Sequence, residues 1–204
     1  PGARAAAGPH AVRLLHADAD GTPGLTIDRY GEHLVLQATT PWADREAGAL
    51  AAEVARRTSA RTALARNDAS VRQLEKLPRA VIPVVGRTPD EIEVEIGGVR
   101  RIVDPWRGHK TGTYLDQQEN QRRVPGWLGG RVLDLFSAEG GFALPLAAAG
   151  SQVRAVDQST ALIDRARRSA EAAGVLKNIT FVADNAFDVL AQLERDGERV
   201  DGIV

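Results

Sequence analysis

The stretch VLDLFSAEGGF, from Val132 to Phe142, decides the fold of this chain. Its apolar start predicts a buried strand over residues 132–136, and Gly140 with Gly141 predicts a tight turn into the apolar beginning of a helix. A turn without side chains lets a ligand approach the backbone, and the first N–H groups of the helix favour polar or anionic ligand groups. The stretch therefore predicts the first strand, turn and helix of a ligand-binding α/β fold.

An acidic residue follows the glycine turn at the spacing that a ribose-binding unit requires. A second apolar run, QVRAVD, ends on Asp157, seventeen residues after Gly140. A carboxylate at the tip of the second strand can accept hydrogen bonds from both ribose hydroxyls of an adenosine group. The spacing therefore predicts a cofactor that contains adenosine.

The residues inside the turn bear on which cofactor is bound. A dinucleotide site has the pattern GxGxxG, whereas this turn reads SAEGGF and carries Glu139, whose charge would repel a pyrophosphate. A carboxylate is tolerated near the sulfonium and ammonium groups of S-adenosylmethionine, and Asp134 within the strand has no role in gripping a pyrophosphate. S-adenosylmethionine is therefore preferred over a nicotinamide or a flavin. An ordinary strand, turn and helix without a ligand remains the alternative.

Composition limits the classes of protein that this chain can belong to. Its 204 residues carry a net charge of −1 and the charge is balanced in both halves of the chain, so no block is basic enough to indicate nucleic-acid binding by itself. The chain has no cysteine, and its four histidines lack metal-ligand spacing, so we expect neither a disulfide nor a metal site. No apolar run is long enough for a membrane span or a signal peptide, so a cytoplasmic location is expected. The absence of methionine suggests a piece of a longer product.

The chain is predicted to contain two domains. Residues 1–105 are expected to form a small α+β domain, and residues 106–204 the N-terminal part of a Rossmann-like domain, so the fold class is a truncated α/β fold. In the first domain we expect a linker over residues 1–12, a hairpin of 25–30 with 34–38, a helix capped by Asp44, a strand at 62–65, a second helix at 69–77, and a hairpin around Gly97 and Gly98.

The second domain is predicted to alternate strands and helices. After a helix at 116–124, we expect strands at 131–136, 152–157, 179–183 and 200–204, and helices at 141–149, at 160–173 and after the cap Asn185. Phe187, Leu190 and Leu193 are expected on one apolar face of the last helix. The arginines 165, 167 and 168 are interpreted as a solvated helix face and not as an RNA-binding patch.

A polar segment before the first Rossmann strand makes the interpretation more specific. The segment RGHKTGTYLDQQENQRR covers residues 107–123. Together with DGTPGLTIDRYG, VLDLFSAEGGFALPLAAAG, AVDQS and the strand end at Asp184, it resembles the class I S-adenosylmethionine-dependent methyltransferases of large-subunit rRNA, cytosine-C5 type. The resemblance covers nearly all of residues 13–204. It implies S-adenosylmethionine as cofactor, 23S rRNA as substrate, and a PUA domain before the central and catalytic domains.

The resemblance also implies a set of cofactor-binding residues. Those after the first strand would line the methionine end and the backbone turn, Asp157 would take the ribose hydroxyls, and Asp184 with Asn185 would face the adenine edge. Four residues of the polar segment would close the near side of the pocket. The full set is Phe136, Ser137, Gly140, Gly141, Asp157, Asp184, Asn185, Lys110, Thr111, Asp116 and Gln117.

The sequence departs from the family pattern in several places. His109 stands where the family usually has Gln, and Gln118–Glu119 replaces a basic–acidic pair. The family places a D-P-P motif about where Val204 stands, and it uses a cysteine nucleophile, because carbon-5 methylation needs a thiolate that adds at carbon 6. The catalytic residues are therefore expected beyond Val204, and residues 1–204 alone are expected to be inactive.

Two other functions remain open from the sequence. The chain could be a non-catalytic RNA-binding or scaffold protein that retains a degenerate cofactor fold. A nicotinamide-dependent oxidoreductase is disfavoured by Glu139 and by the missing third glycine. The oligomeric state is left open, with a homodimer as one option.

Overall fold

The computed structural model describes residues 10–204 and divides the chain into two compact units. The first unit extends to Val94 and includes Val103–Leu115, and the second consists of Glu95–Ile102 and Asp116–Val204. The chain thus passes between the units three times, whereas the sequence pattern placed a single boundary after residue 105. Most of the predicted N-terminal linker lies outside the described residues, but Ala11 and Val12 belong to a strand and not to a linker.

The first unit contains a five-stranded sheet and one long helix. In chain order these are β1 (Ala11–His16), β2 (Leu25–Tyr30), β3 (His33–Ala38), α1 (Pro41–Thr58), β4 (Thr62–Asn67) and β5 (Ala80–Val85). The strands lie in the order β1-β2-β3-β4-β5, and only β3 and β4, which α1 connects, are parallel in the described sheet. The predicted hairpin of β2 with β3 and the strand β4 are confirmed.

Helix α1 packs on this sheet through a stripe of alanines. Ala43, Ala47, Ala51 and Ala55 recur every four residues and are buried with the apolar side chains of β2, β3 and β4. The predicted cap was wrong, because Thr40 and not Asp44 caps the helix, its side chain accepting a hydrogen bond from the N–H of Ala43 at 3.2 Å. The helix therefore begins at Pro41, a residue whose fixed φ suits the first helical position.

The prediction of a second helix over residues 69–77 is also wrong. Only a single 3-10 turn forms, at Ser70–Gln73, and Lys76 adopts a left-handed φ of 57° that ends any helix. The cause is Arg72, whose buried guanidinium donates hydrogen bonds to the carbonyl oxygens of Ala38 and Pro78. These tertiary contacts prevail over local helix propensity. Strand β5, which follows this turn, was not predicted because Pro83 interrupts its pattern, but proline is tolerated on an edge strand.

Two strands follow that form a small sheet of their own, and then the parallel sheet begins. The remaining elements are β6 (Ile92–Ile96), β7 (Val99–Val103), α2 (Gln118–Arg123), β8 (Arg131–Leu135), α3 (Ala143–Ala148), β9 (Gln152–Asp157), α4 (Thr160–Ala172), β10 (Ile179–Ala183), α5 (Ala186–Asp196) and β11 (Gly202–Ile203). All of them lie within two residues of their predicted positions. Within residues 10–204, no helix is both long and apolar enough to cross a membrane.

The second unit is built on a four-stranded parallel sheet in the order β10-β9-β8-β11. Alternate side chains of β8 pack on opposite faces of the sheet. Val132 is buried with apolar residues of α3 and α4, and Leu133 with those of α5. Because β9 and β10 lie on one side of β8 and β11 on the other, the strand order reverses beside β8. Ligands of such sheets bind at the carboxyl ends of the strands next to this reversal.

The cap of α1 can be tested by substitution. Thr40→Ala removes the oxygen that accepts from the Ala43 N–H, so we expect the free energy of unfolding to fall by about 1 kcal/mol. Thr40→Ser is the control, because it retains the hydroxyl that accepts from Ala43 and donates to the carbonyl oxygen of Pro23. Urea denaturation of the three proteins measures the difference. Equal stability of the Ala variant and the wild type would show that Thr40 is not the cap.

Candidate functional site

The carboxyl ends of β8, β9 and β10 gather seven of the predicted site residues in the second unit. Phe136 and Ser137 follow β8, Asp157 is the last residue of β9, and Asp184 with Asn185 follows β10. Gly140 and Gly141 lie in the turn that leads from β8 to α3. Since β8, β9 and β10 are adjacent and parallel, these residues share one edge of the sheet.

The turn after β8 has an unusual backbone. The φ angle is positive at every second residue, 55° at Phe136, 48° at Ala138 and 75° at Gly140. Left-handed conformations are costly for residues other than glycine and cluster at functional sites. Two hydrogen bonds hold the turn, from the Ser137 N–H to the carbonyl oxygen of Val156 at 2.9 Å and from the Gly140 N–H to that of Ser137 at 2.8 Å.

Asp157 is fixed by two backbone N–H groups. Its Oδ2 accepts from Ala138 at 2.9 Å and its Oδ1 accepts from Ser159 at 2.9 Å. A carboxylate has about four acceptor positions, so both oxygens can still accept from a ligand. The side chain is partly exposed. Asp157 therefore has the position, the orientation and the acceptor capacity that a ribose contact needs.

Asp134 is a second carboxyl group beneath the same edge. It is 1% exposed, and its Oδ2 accepts a hydrogen bond from the N–H of Ala143 at 2.9 Å. The pKa of Asp134 is raised to about 7, mainly by burial; the hydrogen bond from Ala143 opposes the shift, and the charge of Asp157 contributes a smaller increase. Asp134 therefore titrates near neutral pH, beside the group that would bind ribose.

Two phenylalanine rings lie exposed at the strand ends. Phe136 is 65% exposed and Phe187 is 69% exposed, and their rings meet edge to face with centroids 5.9 Å apart. Phe187 was predicted to share one apolar face of α5 with Leu190 and Leu193. Those two leucines pack in the core, whereas Phe187, in the first turn of the helix, is exposed and contacts Phe136. The signal that could have found it is its place four residues after the end of β10. Exposed aromatic rings at a ligand edge offer apolar contact area to a planar group.

Ser137 and the residues after β10 complete the edge. The Ser137 hydroxyl is buried and has no hydrogen-bond partner among residues 10–204, which is typical of a group that serves a ligand. Asp184 and Asn185 are both exposed. The side-chain oxygen of Asn185 accepts from the N–H of Phe187 at 2.8 Å and caps α5, as predicted, which leaves its NH₂ group at the surface.

Glu139 does not have the environment that the sequence suggested. Its carboxylate is 4% exposed and accepts a hydrogen bond from the buried Arg165 at 2.6 Å. Its charge is therefore balanced by a guanidinium group, and the predicted repulsion of a pyrophosphate by Glu139 does not hold. The interpretation of three arginines as a solvated face was wrong for Arg165, whereas Arg167 and Arg168 are exposed.

The four predicted residues of the polar segment are distributed over both units. In the first unit Lys110 is exposed with its Nζ 4.7 Å from the Tyr114 ring centre, and Thr111 is buried. The Thr111 hydroxyl donates to Asp28 at 2.5 Å. In the second unit Asp116 is exposed and the Gln117 side chain accepts from Asn120. The cofactor contacts of these four residues stay a prediction.

Most of this chain is similar in sequence to known proteins. A model of a methyltransferase domain matches residues 132–204. The chain is 36% identical over 196 residues to the ribosomal RNA large subunit methyltransferase I of Aeromonas salmonicida, covering 94% of this chain and 50% of the relative. The Escherichia coli protein of that name is 36% identical over 201 residues, covering 97% of this chain and 51% of the relative. The chain thus spans about half the length of the curated relatives that it matches.

Solved structures share the architecture at low sequence identity. A Streptococcus mutans protein assigned as an S-adenosylmethionine-dependent methyltransferase superposes with a TM-score of 0.81 at 22% identity, covering 96% of this chain and 51% of that one. A further protein assigned as a methyltransferase, in complex with S-adenosylhomocysteine, gives 0.80 at 20% identity, covering 96% and 50%. The fold is that of the class I methyltransferases. The Rossmann-like fold predicted from the sequence is thereby confirmed. The resemblance to large-subunit rRNA methyltransferases is confirmed by the curated relatives, whereas its cytosine-C5 type stays a prediction.

In this class I fold, the titration of Asp134 predicts a dependence of stability on pH. An unfolded aspartate has a pKa of about 3.9, so the folded state binds the Asp134 proton more tightly and its pKa is about 7. The stabilising contribution is therefore complete below about pH 4 and is lost as the pH rises through about 7. The Asn side chain of Asp134→Asn is neutral at every pH. Relative to this variant, the free energy of unfolding of the wild type should fall by on the order of 2 kcal/mol between pH 5 and 8.

Urea unfolding of both proteins at the two pH values measures this difference. Asp164→Asn, which removes an exposed carboxylate from α4, serves as the control and should show the pH dependence of the wild type. If wild type and Asp134→Asn lost stability equally between pH 5 and 8, Asp134 would have an ordinary titration in the folded state.

Proposed function

We propose that this chain is the cofactor-binding part of an S-adenosylmethionine-dependent methyltransferase that acts on large-subunit ribosomal RNA, with cytosine C5 of 23S rRNA as the target. The observation that carries the proposal is the Asp157 carboxylate. The N–H groups of Ala138 and Ser159 hold it at the end of the second parallel strand, directly beside the glycine turn. This is the arrangement that an adenosine ribose requires.

The other residues of the edge fit the remaining parts of the cofactor. The Ser137 hydroxyl is a buried group without a partner and can bond the methionine part, while the Phe136 and Phe187 rings supply apolar area for the adenine. The NH₂ group of Asn185 and the carboxylate of Asp184 offer a donor and acceptors to the adenine edge. S-adenosylmethionine supplies the methyl group, which its sulfonium centre activates for transfer.

Charge at the edge favours this cofactor over a dinucleotide. Asp157 and, above its pKa of about 7, Asp134 both contribute negative charge near the turn. A sulfonium and an ammonium group are attracted by such charge, whereas a pyrophosphate is repelled. Glu139 does not add to this preference, because Arg165 already balances its charge.

The proposal of an RNA substrate is supported by the curated relatives. They are ribosomal RNA large subunit methyltransferases, and their similarity to this chain extends over 94% of its residues. An rRNA substrate would be met in the cytoplasm. Methylation of cytosine C5 needs a cysteine thiolate, and none of the 204 residues is cysteine, so these residues supply cofactor binding and not the nucleophile.

Calorimetric titration with S-adenosylhomocysteine tests the cofactor proposal. The chain should bind S-adenosylhomocysteine and not NADH. Asp157→Ala should weaken binding by about 1 to 3 kcal/mol, because the ribose hydroxyls lose their acceptor in a partly buried site. Asp164→Ala, on the exposed side of α4, is the matched control and should bind like the wild type. Equal affinity for NADH would reject the methyltransferase cofactor, and binding of neither ligand would leave a scaffold protein with a degenerate site.

The substrate proposal is tested in cells that carry the gene. Mass spectrometry of nuclease-digested large-subunit rRNA should detect 5-methylcytidine at one position of 23S rRNA in the parent strain and not in a strain that lacks the gene. Small-subunit rRNA from the same cells is the internal control and should be unchanged. An unaltered modification pattern in the deletion strain would remove large-subunit rRNA as the substrate.

A further inference from the structure

We infer that the buried ion pairs around Glu139 position the backbone of the cofactor turn, so that Glu139 and Arg165 are positioning residues of the site. The inference rests on the proposed binding of S-adenosylmethionine. Neither Glu139 nor Arg165 belongs to the predicted cofactor set. Burying their charges costs desolvation energy, and a role in positioning the turn explains why a charged pair stands here.

The cluster is made by side chains from four separate parts of the second unit. The Oε1 of Glu139 accepts from Arg165 of α4 at 2.6 Å, and its Oε2 lies 3.9 Å from a guanidinium nitrogen of Arg101 on β7. Arg101 in turn donates to the Gln121 side chain of α2 at 3.2 Å. Glu139, Arg101, Gln121 and Arg165 are each less than 10% exposed.

These contacts act on the backbone of the turn because of where Glu139 lies. It stands between Ala138 and Gly140, both of which have positive φ. The peptide group after Glu139 carries the N–H of Gly140, which closes the turn on Ser137. The residue before Glu139, Ala138, carries the N–H that holds Asp157. A side chain fixed at its far end restricts rotation of the backbone that carries it.

The neighbouring glycine is held by the same cluster. A Cβ on Gly141 would lie 2.7 Å from the amide nitrogen of Gln121, so the turn backbone packs directly against that side chain. Glu139 is thus held through its carboxylate and Gly141 through its backbone. Together these contacts keep the left-handed Ala138 in the conformation that aims its N–H at Asp157.

A purely structural role would give a different result from a positioning role, and a double variant separates the two. Arg165→Met alone removes a partner of the buried Glu139 carboxylate and should lower both stability and ligand affinity. Glu139→Leu combined with Arg165→Met replaces the close pair by apolar groups, which often restores stability, while Arg101 keeps its hydrogen bond to Gln121. Apolar contact does not direct the turn backbone as a charged hydrogen bond does, so affinity should not recover.

The test compares these variants in the 204-residue chain by thermal unfolding, by titration with S-adenosylhomocysteine and by amide hydrogen exchange. In the double variant we expect an unfolding midpoint near that of the wild type, binding that is on the order of tenfold weaker, and faster exchange at Ala138 and Gly140 than in the wild type. The control is the exposed pair Glu119–Arg123 of α2, which also has a separation of 2.6 Å. Its double substitution to Gln should change none of the three measurements.

Each outcome decides the inference. Recovery of both stability and affinity in the double variant would overturn it and leave a structural pair. If the double variant does not fold, Glu139→Gln carries the test, with weaker binding and faster exchange of Ala138 as support and wild-type values as refutation. If the wild type binds no S-adenosylhomocysteine, the proposed function fails, and the exchange rates of Ala138 and Gly140 alone then decide whether Glu139 positions the turn.

Discussion

A buried carboxylate must be compensated, and in the second unit Glu139 meets this requirement with two guanidinium groups from distant parts of the sequence. The effective cost of removing an ion from water inside a protein is several kcal/mol, so a carboxylate that is 4% exposed is stable only if its partners are in place. Those partners, Arg101 and Arg165, belong to β7 and α4. The turn after β8, the small hairpin and α4 therefore have to assemble together. The Ile102 N–H, which donates to the buried Ser169 hydroxyl at 3.0 Å, adds a second link between β7 and α4.

The first unit uses buried charge in the same way. Asp28 is fully buried and accepts two hydrogen bonds from Arg13 and one from Thr111. Arg72 bonds the backbone of two segments and the Asp44 carboxylate at 2.7 Å. The helix that covers this sheet buries mainly alanines, which contribute little apolar area per residue. Hydrogen bonds to the buried Asp28 and from the buried Arg72 therefore fix the positions of segments that the alanine packing alone would hold weakly.

Charge also explains the character of the ligand edge. Asp157 is close enough to Asp134 for its charge to raise the pKa of Asp134, yet the two groups have different environments. Asp157 is partly exposed and accepts hydrogen bonds from two backbone N–H groups. Asp134 is buried with a bond from Ala143 and is protonated to a larger extent near neutral pH. One edge thereby combines a carboxylate held by backbone N–H groups with a buried carboxyl group whose charge changes near pH 7.

Local patterns in the sequence were sufficient to predict the strands and helices of the Rossmann-like unit. They also predicted that Phe136, Ser137, Asp157 and Asp184 lie at the edge of its sheet. Strand ends, glycine turns and caps such as Asn185 depend on neighbours a few residues away, and parallel strands must bring their carboxyl ends to one edge. The tertiary structure alone decided the partners of the buried charges. Arg72 reaches Asp44 across 28 residues and Arg165 reaches Glu139 across 26, and no periodicity encodes such pairs. For that reason the helix predicted at 69–77 is a turn, and the charge of Glu139 is directed to Arg165 rather than to the ligand.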